Sequence, residues 1–181
     1  MPSTPVVVSV SSSATHSFSK APRASIQLVE GVGVEGDAHA GVVTQHLFQM
    51  RKDPSRPNLR QVHLIHSELF DGLRSEGFEV EPGGLGENIT TAGIDLLSLP
   101  VGTRLEIGDA VVIVTGLRNP CNQINGYREG LMQRLVRKDD EGRVVRLSGV
   151  MGIVARSGAV APGDAIRVEP PAGEHSPLAP V

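Results

Sequence analysis

Glycine and proline set the scale on which this chain can fold: 21 glycines and 13 prolines interrupt 181 residues so often that most apolar stretches between them are short. Gly supplies the positive-φ conformations of tight turns and Pro is excluded from helix interiors, so this punctuation favours strands joined by turns. Val6 to Ser12, Ser25 to Val29 and Gln61 to His66 read as strands. Thr103 to Thr115 is the clearest hairpin, because Arg104-Leu105-Glu106-Ile107 alternates, Gly108-Asp109 supplies a two-residue turn, and Ala110 to Thr115 returns. A second turn at Pro162-Gly163-Asp164 precedes a strand from Ala165 to Val168. Ser67 is placed to cap a short helix running to about Glu76, with Leu69, Phe70 and Leu73 on one side and Gly77 as the stop. Gly130 to Lys138 is the other helical pattern, ended by Asp139-Asp140-Glu141-Gly142. Gln45 to Arg60 and Gly83 to Gly93 take no assignment. The pattern predicts a mostly β fold, a closed or partly closed β-barrel with a few short helices. The length suits one domain, expected over residues 1–174, with a disordered Pro-rich tail over 175–181.

Composition removes several function classes. A formal net charge of −3 gives no overall pull toward nucleic acid or membrane, and four Phe and one Tyr without Trp leave few stacking platforms for single strands. The N-terminus has no basic region and only Val6-Val7-Val8 as an apolar core, and no run approaches a membrane-spanning length. A single cysteine fits a reducing compartment. The expectation is a soluble cytoplasmic protein that binds neither nucleic acid nor membrane.

That cysteine, Cys121, lies in the polar turn Arg118-Asn119-Pro120-Cys121-Asn122-Gln123, directly after the apolar run Val111 to Val114. Alone in the chain it cannot form an internal disulfide, and a thiol on a polar turn is a poor piece of core. Two readings stand: an inert, buried free cysteine, or a nucleophile or metal ligand whose thiolate is favoured by a nearby cation such as Arg118. A glycine-rich segment, Gly31 to Gly41, contains Gly-x-Gly-x-x-Gly without the strand–helix context of a dinucleotide site. Its glycines allow close approach and present Asp37 and His39, which face the same way in extended backbone; the plainer reading is an Asp that caps a turn. His63 and His66 resemble a zinc pair only on paper, because a spacing of three on a strand sends them to opposite faces. In Gly83 to Gly93, Glu87 and Asn88 either read the edge of a heterocycle or pin a β-turn. No His-Glu-x-x-His, Cys pair or Gly-x-Ser-x-Gly occurs.

Four segments in order, 33 to 41 (Gly-Val-Glu-Gly-Asp-Ala-His-Ala-Gly), 83 to 93 (Gly-Gly-Leu-Gly-Glu-Asn-Ile-Thr-Thr-Ala-Gly), 116 to 124 (Gly-Leu-Arg-Asn-Pro-Cys-Asn-Gln-Ile) and 149 to 152 (Gly-Val-Met-Gly), together resemble a small stand-alone MOSC domain. This family is named after the C-terminal part of molybdenum cofactor sulfurase. The resemblance covers roughly residues 6 to 169. It implies a β-barrel, the molybdenum cofactor (molybdopterin), and Cys121 as thiolate ligand to the metal. Asp37 and His39 are expected to join Cys121 in the chemistry, and Glu87, Asn88, Arg118 and Asn122 to contact the cofactor. Lys20 and Arg23, from their charge, are expected to neutralise the pterin phosphate. No aminotransferase-like part accompanies the motifs, so pyridoxal phosphate has no support, and His16 to Lys20 stands where larger relatives carry a second barrel half. The implied activity is oxo-transfer or reduction of an N-hydroxylated small-molecule substrate. One cysteine cannot hold an iron–sulfur cluster, and no flavin or haem signature occurs, so electrons would come from a separate donor protein. The alternatives are a sulfur carrier or cofactor-handover module using a Cys121 persulfide from a sulfur-donor protein, and a barrel with an inert thiol.

Overall fold

The turn-forming glycines act as the sequence requires. All of Gly31, Gly77, Gly83, Gly86, Gly108 and Gly163 adopt positive φ, each at the end of an element or inside a turn. The computed structural model describes residues 4–181; Met1 to Ser3, which the single-domain expectation includes, lie outside the described residues. The chain runs β1 (Val6–Ser12), β2 (Ala21–Arg23), β3 (Ile26–Val29), β4 (Gly33–Val34), α1 (Leu47–Lys52), β5 (Val62–His66), α2 (Glu68–Ser75) and β6 (Ile89–Ala92). A 3-10 turn (Leu96–Ser98) leads to β7 (Arg104–Ile107), β8 (Ala110–Leu117), α3 (Gln123–Tyr127), α4 (Leu131–Leu135), β9 (Val136–Lys138), β10 (Val144–Arg146), β11 (Val150–Arg156), β12 (Gly158–Val160) and β13 (Ile166–Glu169). The fold is mostly β with short helices.

Eight strands form the main sheet in the order β13-β7-β8-β11-β5-β6-β1-β2. Its pairings are antiparallel except β5 with β6, which run parallel because α2 carries the chain across between them. The expected hairpin is present, with Leu105 opposite Val112 and Ile107 opposite Ala110. The ladder does not close continuously. A bridge from Val6 to Ala165, with Val7 N donating to Asp164 O at 2.9 Å, brings β1 against the approach to β13, but the strand pairings do not close the sheet into the expected barrel. β3, β4 and β12 form a separate three-stranded sheet.

β5 divides two apolar clusters. Val62 and Leu64 face the larger one, between the sheet faces, with Val10, Leu28, Ile89, Leu105, Ile107 and Val150. Ile65 faces the smaller, with Phe70, Leu73, Leu85, Ile124, Leu131 and Leu135 from the helices. Burial of each such aliphatic side chain contributes about 1.5–3 kcal/mol. Because both faces of β5 are covered, His63 is buried as well.

Four local expectations change. Ser67 is itself helical (φ −65°, ψ −24°) and makes no side-chain cap; its N–H pairs with Thr91 O instead. The helix expected over 130–138 stops at Leu135, because Val136–Lys138 pair antiparallel with Val144–Arg146 across the Gly142 turn. The unassigned stretch 45–60 contains α1, which buries none of its residues. The tail from His175, expected to be disordered, is packed: Leu178 lies against the larger cluster, and Leu117 N donates to Ala179 O at 2.8 Å. Among the described residues, no helix is long and apolar enough to cross a membrane.

Candidate functional site

Cys121 stands just past the end of β8, where the strand gives way to a turn. Arg118 N donates to Gly149 O (3.0 Å) and Ser148 Oγ donates to Arg118 O (3.2 Å), so the neighbouring strand fixes the exit of the chain. Cys121 O then accepts from Ile124 N at 3.1 Å and starts α3. The thiol is half-buried, 3.7 Å from Gln123 Oε1, and is not sealed among aliphatic side chains. It lines a recess of about 350 Å³ together with Phe18, Lys20, His39, Arg60, His63, Asn88 and Arg118. It also lines an adjoining second recess with His46, Lys52, Asp53, Arg56, Arg60 and Val181.

Behind the recess, Asp37 is a buried hub. Its carboxylate accepts from Lys20 Nζ (3.1 and 3.0 Å), Asn88 Nδ2 (3.1 Å), Ser13 N (3.2 Å) and His39 N (3.0 Å), and His39 Nδ1 lies 3.4 Å away. Burial alone would raise the carboxyl pKa. The His39 contact and the Lys20 ammonium outweigh burial and hold Asp37 well below the usual carboxylate range. Burial pulls Lys20 below its ordinary value, against the attraction of Asp37. Asn88 ties the hub to the sheet: its Nδ2 also donates to Ser11 O, and its Oδ1 accepts from His63 N, both at 3.1 Å.

The loop from Gly83 lies directly on the segment that delivers Lys20. Lys20 N donates to Gly83 O (2.9 Å) and Ser19 Oγ to Gly84 O (2.8 Å). At Gly86 (φ +85°) a Cβ would stand 2.6 Å from Phe18 O, so this contact requires glycine. Glu87 pins the loop by accepting from Gly83 N (2.6 Å), Leu85 N (3.2 Å) and Thr90 Oγ1 (3.1 Å). Burial pushes its carboxyl above the ordinary value despite these donors. The turn-pinning reading therefore describes Glu87, whereas Asn88 does both jobs, holding the turn and facing the recess.

The lining is cationic. Lys20, Arg51, Arg60 and Arg118 line the recess with His16, His39, His46 and His63, and no Asp or Glu among the described residues does. A protein of net charge −3 has thus collected positive charge in one place. The like charges leave their mark: burial first, then Arg118 and Arg56, lower the Arg60 pKa to about 10, and Cys121 opposes the shift. Arg118 is lowered by burial and supported by Cys121, and its Nη1 is shut off from solvent with no hydrogen-bond partner. His46 is lowered to about 4 by burial and by Arg60, His39 and Arg118. Burial, and after it the Arg118 guanidinium, hold His63 well below its ordinary value, with Nε2 donating to Ser148 O at 2.8 Å.

The structure thus gathers Cys121, His39, Asn88, Arg118 and Lys20 around one recess, with Asp37 and Glu87 buried behind it as supports. Arg23 does not join them: pairing of β2 with β1 turns it outward, where Nε donates to Ser12 Oγ at 3.1 Å. Asn122 is exposed at the start of α3 and does not line the recess. His63 and His66 do face apart, as their spacing requires. His46 and Arg60 escaped the sequence reading, although four cations against one acid over residues 51–60 (Arg51, Lys52, Asp53, Arg56, Arg60) was an available sign. Among the described residues, no cluster of three His, Cys, Asp or Glu side chains could hold a metal ion unaided.

The MOSC domain sequence model matches residues 39–167. The chain matches none of the curated proteins. It is similar in structure to YuaD from Bacillus subtilis, with a TM-score of 0.73 and 23% identity over 92% of this chain and 96% of that one. It is also similar to YiiM from Escherichia coli, with a TM-score of 0.62 and 19% identity over 97% of this chain and 74% of that one. YiiM from Geobacillus stearothermophilus gives 0.59 and 18% over 91% and 73%. At these identities the structural likenesses show a shared fold and nothing finer. With the family model spanning well over half the chain and all four motif segments folded around the recess, this protein belongs to the MOSC domain family.

Proposed function

We propose that the recess binds an anionic, phosphate-bearing cofactor of the molybdopterin type, with Cys121 as its thiolate partner. The observation that carries this reading is the lining: clustered cations, a buried guanidinium nitrogen without an acceptor, no carboxylate among the described residues, and a half-exposed thiol on the same wall. Arg118 and Arg60 are the residues that would hold a phosphate, since a guanidinium matches its oxygens in pairs. Lys20 is already committed to Asp37 and acts through that pair. When bound, the cofactor would supply molybdenum-based oxygen-atom transfer, suited to reducing N-hydroxylated small molecules. A thiolate is a soft ligand appropriate to such a centre. His39, kept in place by Asp37, is the group positioned to hold or deliver a proton inside the recess. Phe18, Leu85 and Met151 cover part of the wall with apolar surface and limit the water in it. Electrons would come from a separate donor protein.

A second reading rests on the second recess. Cys121 lines both recesses and its side chain is only half-buried, which favours a thiol that takes up sulfur from a sulfur-donor protein, as a persulfide carrier would need. Metal and pterin analysis of protein made in a host that synthesises molybdenum cofactor separates the two. About one molybdenum and one pterin per chain supports cofactor binding. A Cys121 persulfide without metal supports the carrier. Neither species, in folded protein, overturns both.

A further inference from the structure

The segment 176–181 is built into the molecule at several points. Val101 N donates to Ser176 O (2.9 Å), Leu117 N to Ala179 O (2.8 Å), and Val181 N to Leu117 O (3.3 Å), while Leu178 packs on the larger apolar cluster. β8 is shaped to receive it: at Gly116 a Cβ would stand 2.5 Å from Val181 Cγ1 and would also collide with Ala179 O. Val181 lines the second recess, which shares Arg60 and Cys121 with the first. Arg60 Nε donates to the Val181 main-chain oxygen at 2.7 Å, and Arg60 Nη2 donates to the same atom.

Arg60 needs such a hold. It lies close enough to Arg118 and Arg56 to be repelled by both, and a long, flexible side chain relieves that repulsion by swinging into solvent. An acceptor that engages Nε and Nη2 fixes one edge of the planar guanidinium and therefore its plane, leaving the remaining N–H groups for another acceptor. We infer that residues 176–181 form a positioning strap that keeps the Arg60 guanidinium in the recess wall beside Cys121 and thereby sets the affinity of the recess for anions. This rests on the anion-binding reading of the recess.

Cys121 is the sole thiol, so its alkylation reports the local field directly. The rate with iodoacetate, an anion, is divided by the rate with neutral iodoacetamide, and the ratio is compared with that of a free cysteine peptide. The wild-type ratio should exceed the peptide's. Gly116→Val, which obstructs the strap's seat, and Leu178→Asp, which removes its apolar anchor, should each lower the ratio roughly three- to tenfold, the size expected for losing one partly screened guanidinium. In an Arg60→Gln background neither substitution should lower it further. A general loosening of the fold would change both reagents' rates together and leave the ratio alone. An unchanged ratio in Leu178→Asp, with the strap shown to be released by limited proteolysis, overturns the strap while sparing the anion recess. Equal falls with and without Arg60 also overturn it. A wild-type ratio no higher than the peptide's removes the anion recess and the strap together.

Discussion

Replacing Asp37 by Asn keeps the size of the hub and deletes its charge, which makes it the sharpest perturbation of the site's support. Lys20 and Asp37 have side chains 4% and 1% exposed, so the lost carboxylate leaves an ammonium buried without a counter-charge. Breaking a buried pair from one side costs about 3–5 kcal/mol, and the new amide turns one donor toward Lys20, Asn88 or Ser13, each already a donor. The expected loss is therefore at least about 3 kcal/mol, measured as the denaturant midpoint multiplied by an unchanged slope. Lys20→Met alone should cost a comparable amount, because it strands the carboxylate. The double substitution should cost clearly less than the two losses added, with a coupling of about 1–3 kcal/mol. The same pair fixes the acid limb of stability. Asp37 is depressed in the folded state, so its contribution is complete above its unfolded value of 3.8 and disappears as pH falls through the lower folded value; Asp37→Asn should flatten that limb. A cost below about 1 kcal/mol for Asp37→Asn, or simple additivity with Lys20→Met, would show that the two buried charges do not depend on each other.

Other outcomes follow from single contacts. Gly86→Ala should destabilise by about 1–3 kcal/mol, because its φ of +85° and the nearby Phe18 O both exclude a Cβ, whereas Gly126→Ala, with open space around it, should be nearly neutral. His46 is neutral when folded, with a pKa of about 4 against 6.5 when unfolded, so the unfolded chain holds more protons between those values and stability falls as pH drops from 6.5 to 4. Allowing for its partial exposure, His46→Gln should remove about 1–2 kcal/mol of that fall in denaturation curves at pH 7 and pH 5. An anion in the recess reverses the repulsion on His46, so binding of inorganic phosphate, followed by calorimetry, should tighten and take up a proton as pH falls through this window, and lose that uptake in His46→Gln. Cys121→Ser should change folding stability by less than about 0.5 kcal/mol, since the thiol is half-exposed and packs little.

What the sequence shows depends on how local each decision is. The Thr103 to Thr115 hairpin is legible because alternation, a two-residue turn and the return strand lie within a dozen residues. The helix at 68–75 is legible for the same reason, although its start is set by Thr91, which a local reading does not see. α1 is invisible because it buries nothing, leaving no apolar period to detect. The tail fails differently: Pro180 and Leu178 look like loose ends until Gly116 and Leu117 supply a seat formed more than sixty positions earlier. At the site, Cys121, Asp37, His39 and Asn88 stand in glycine-marked segments and are readable as motifs. Arg60, His46 and His63 arrive through long-range packing, and Arg23 leaves because strand pairing turns it out. Asp37 and Glu87 both become supports behind the recess, which only their buried contacts reveal.

If Cys121 meets the cofactor inside the cation-lined recess, a bound cofactor shields its thiol from alkylation. Protein isolated with cofactor and the same protein stripped of it are treated with iodoacetamide, and labelling of Cys121 is followed by mass spectrometry. Labelling should be slowed in proportion to the fraction of chains carrying cofactor, and removing the cofactor should restore the stripped rate. Equal labelling of loaded and stripped protein, with the cofactor still bound at the end of the reaction, would contradict it.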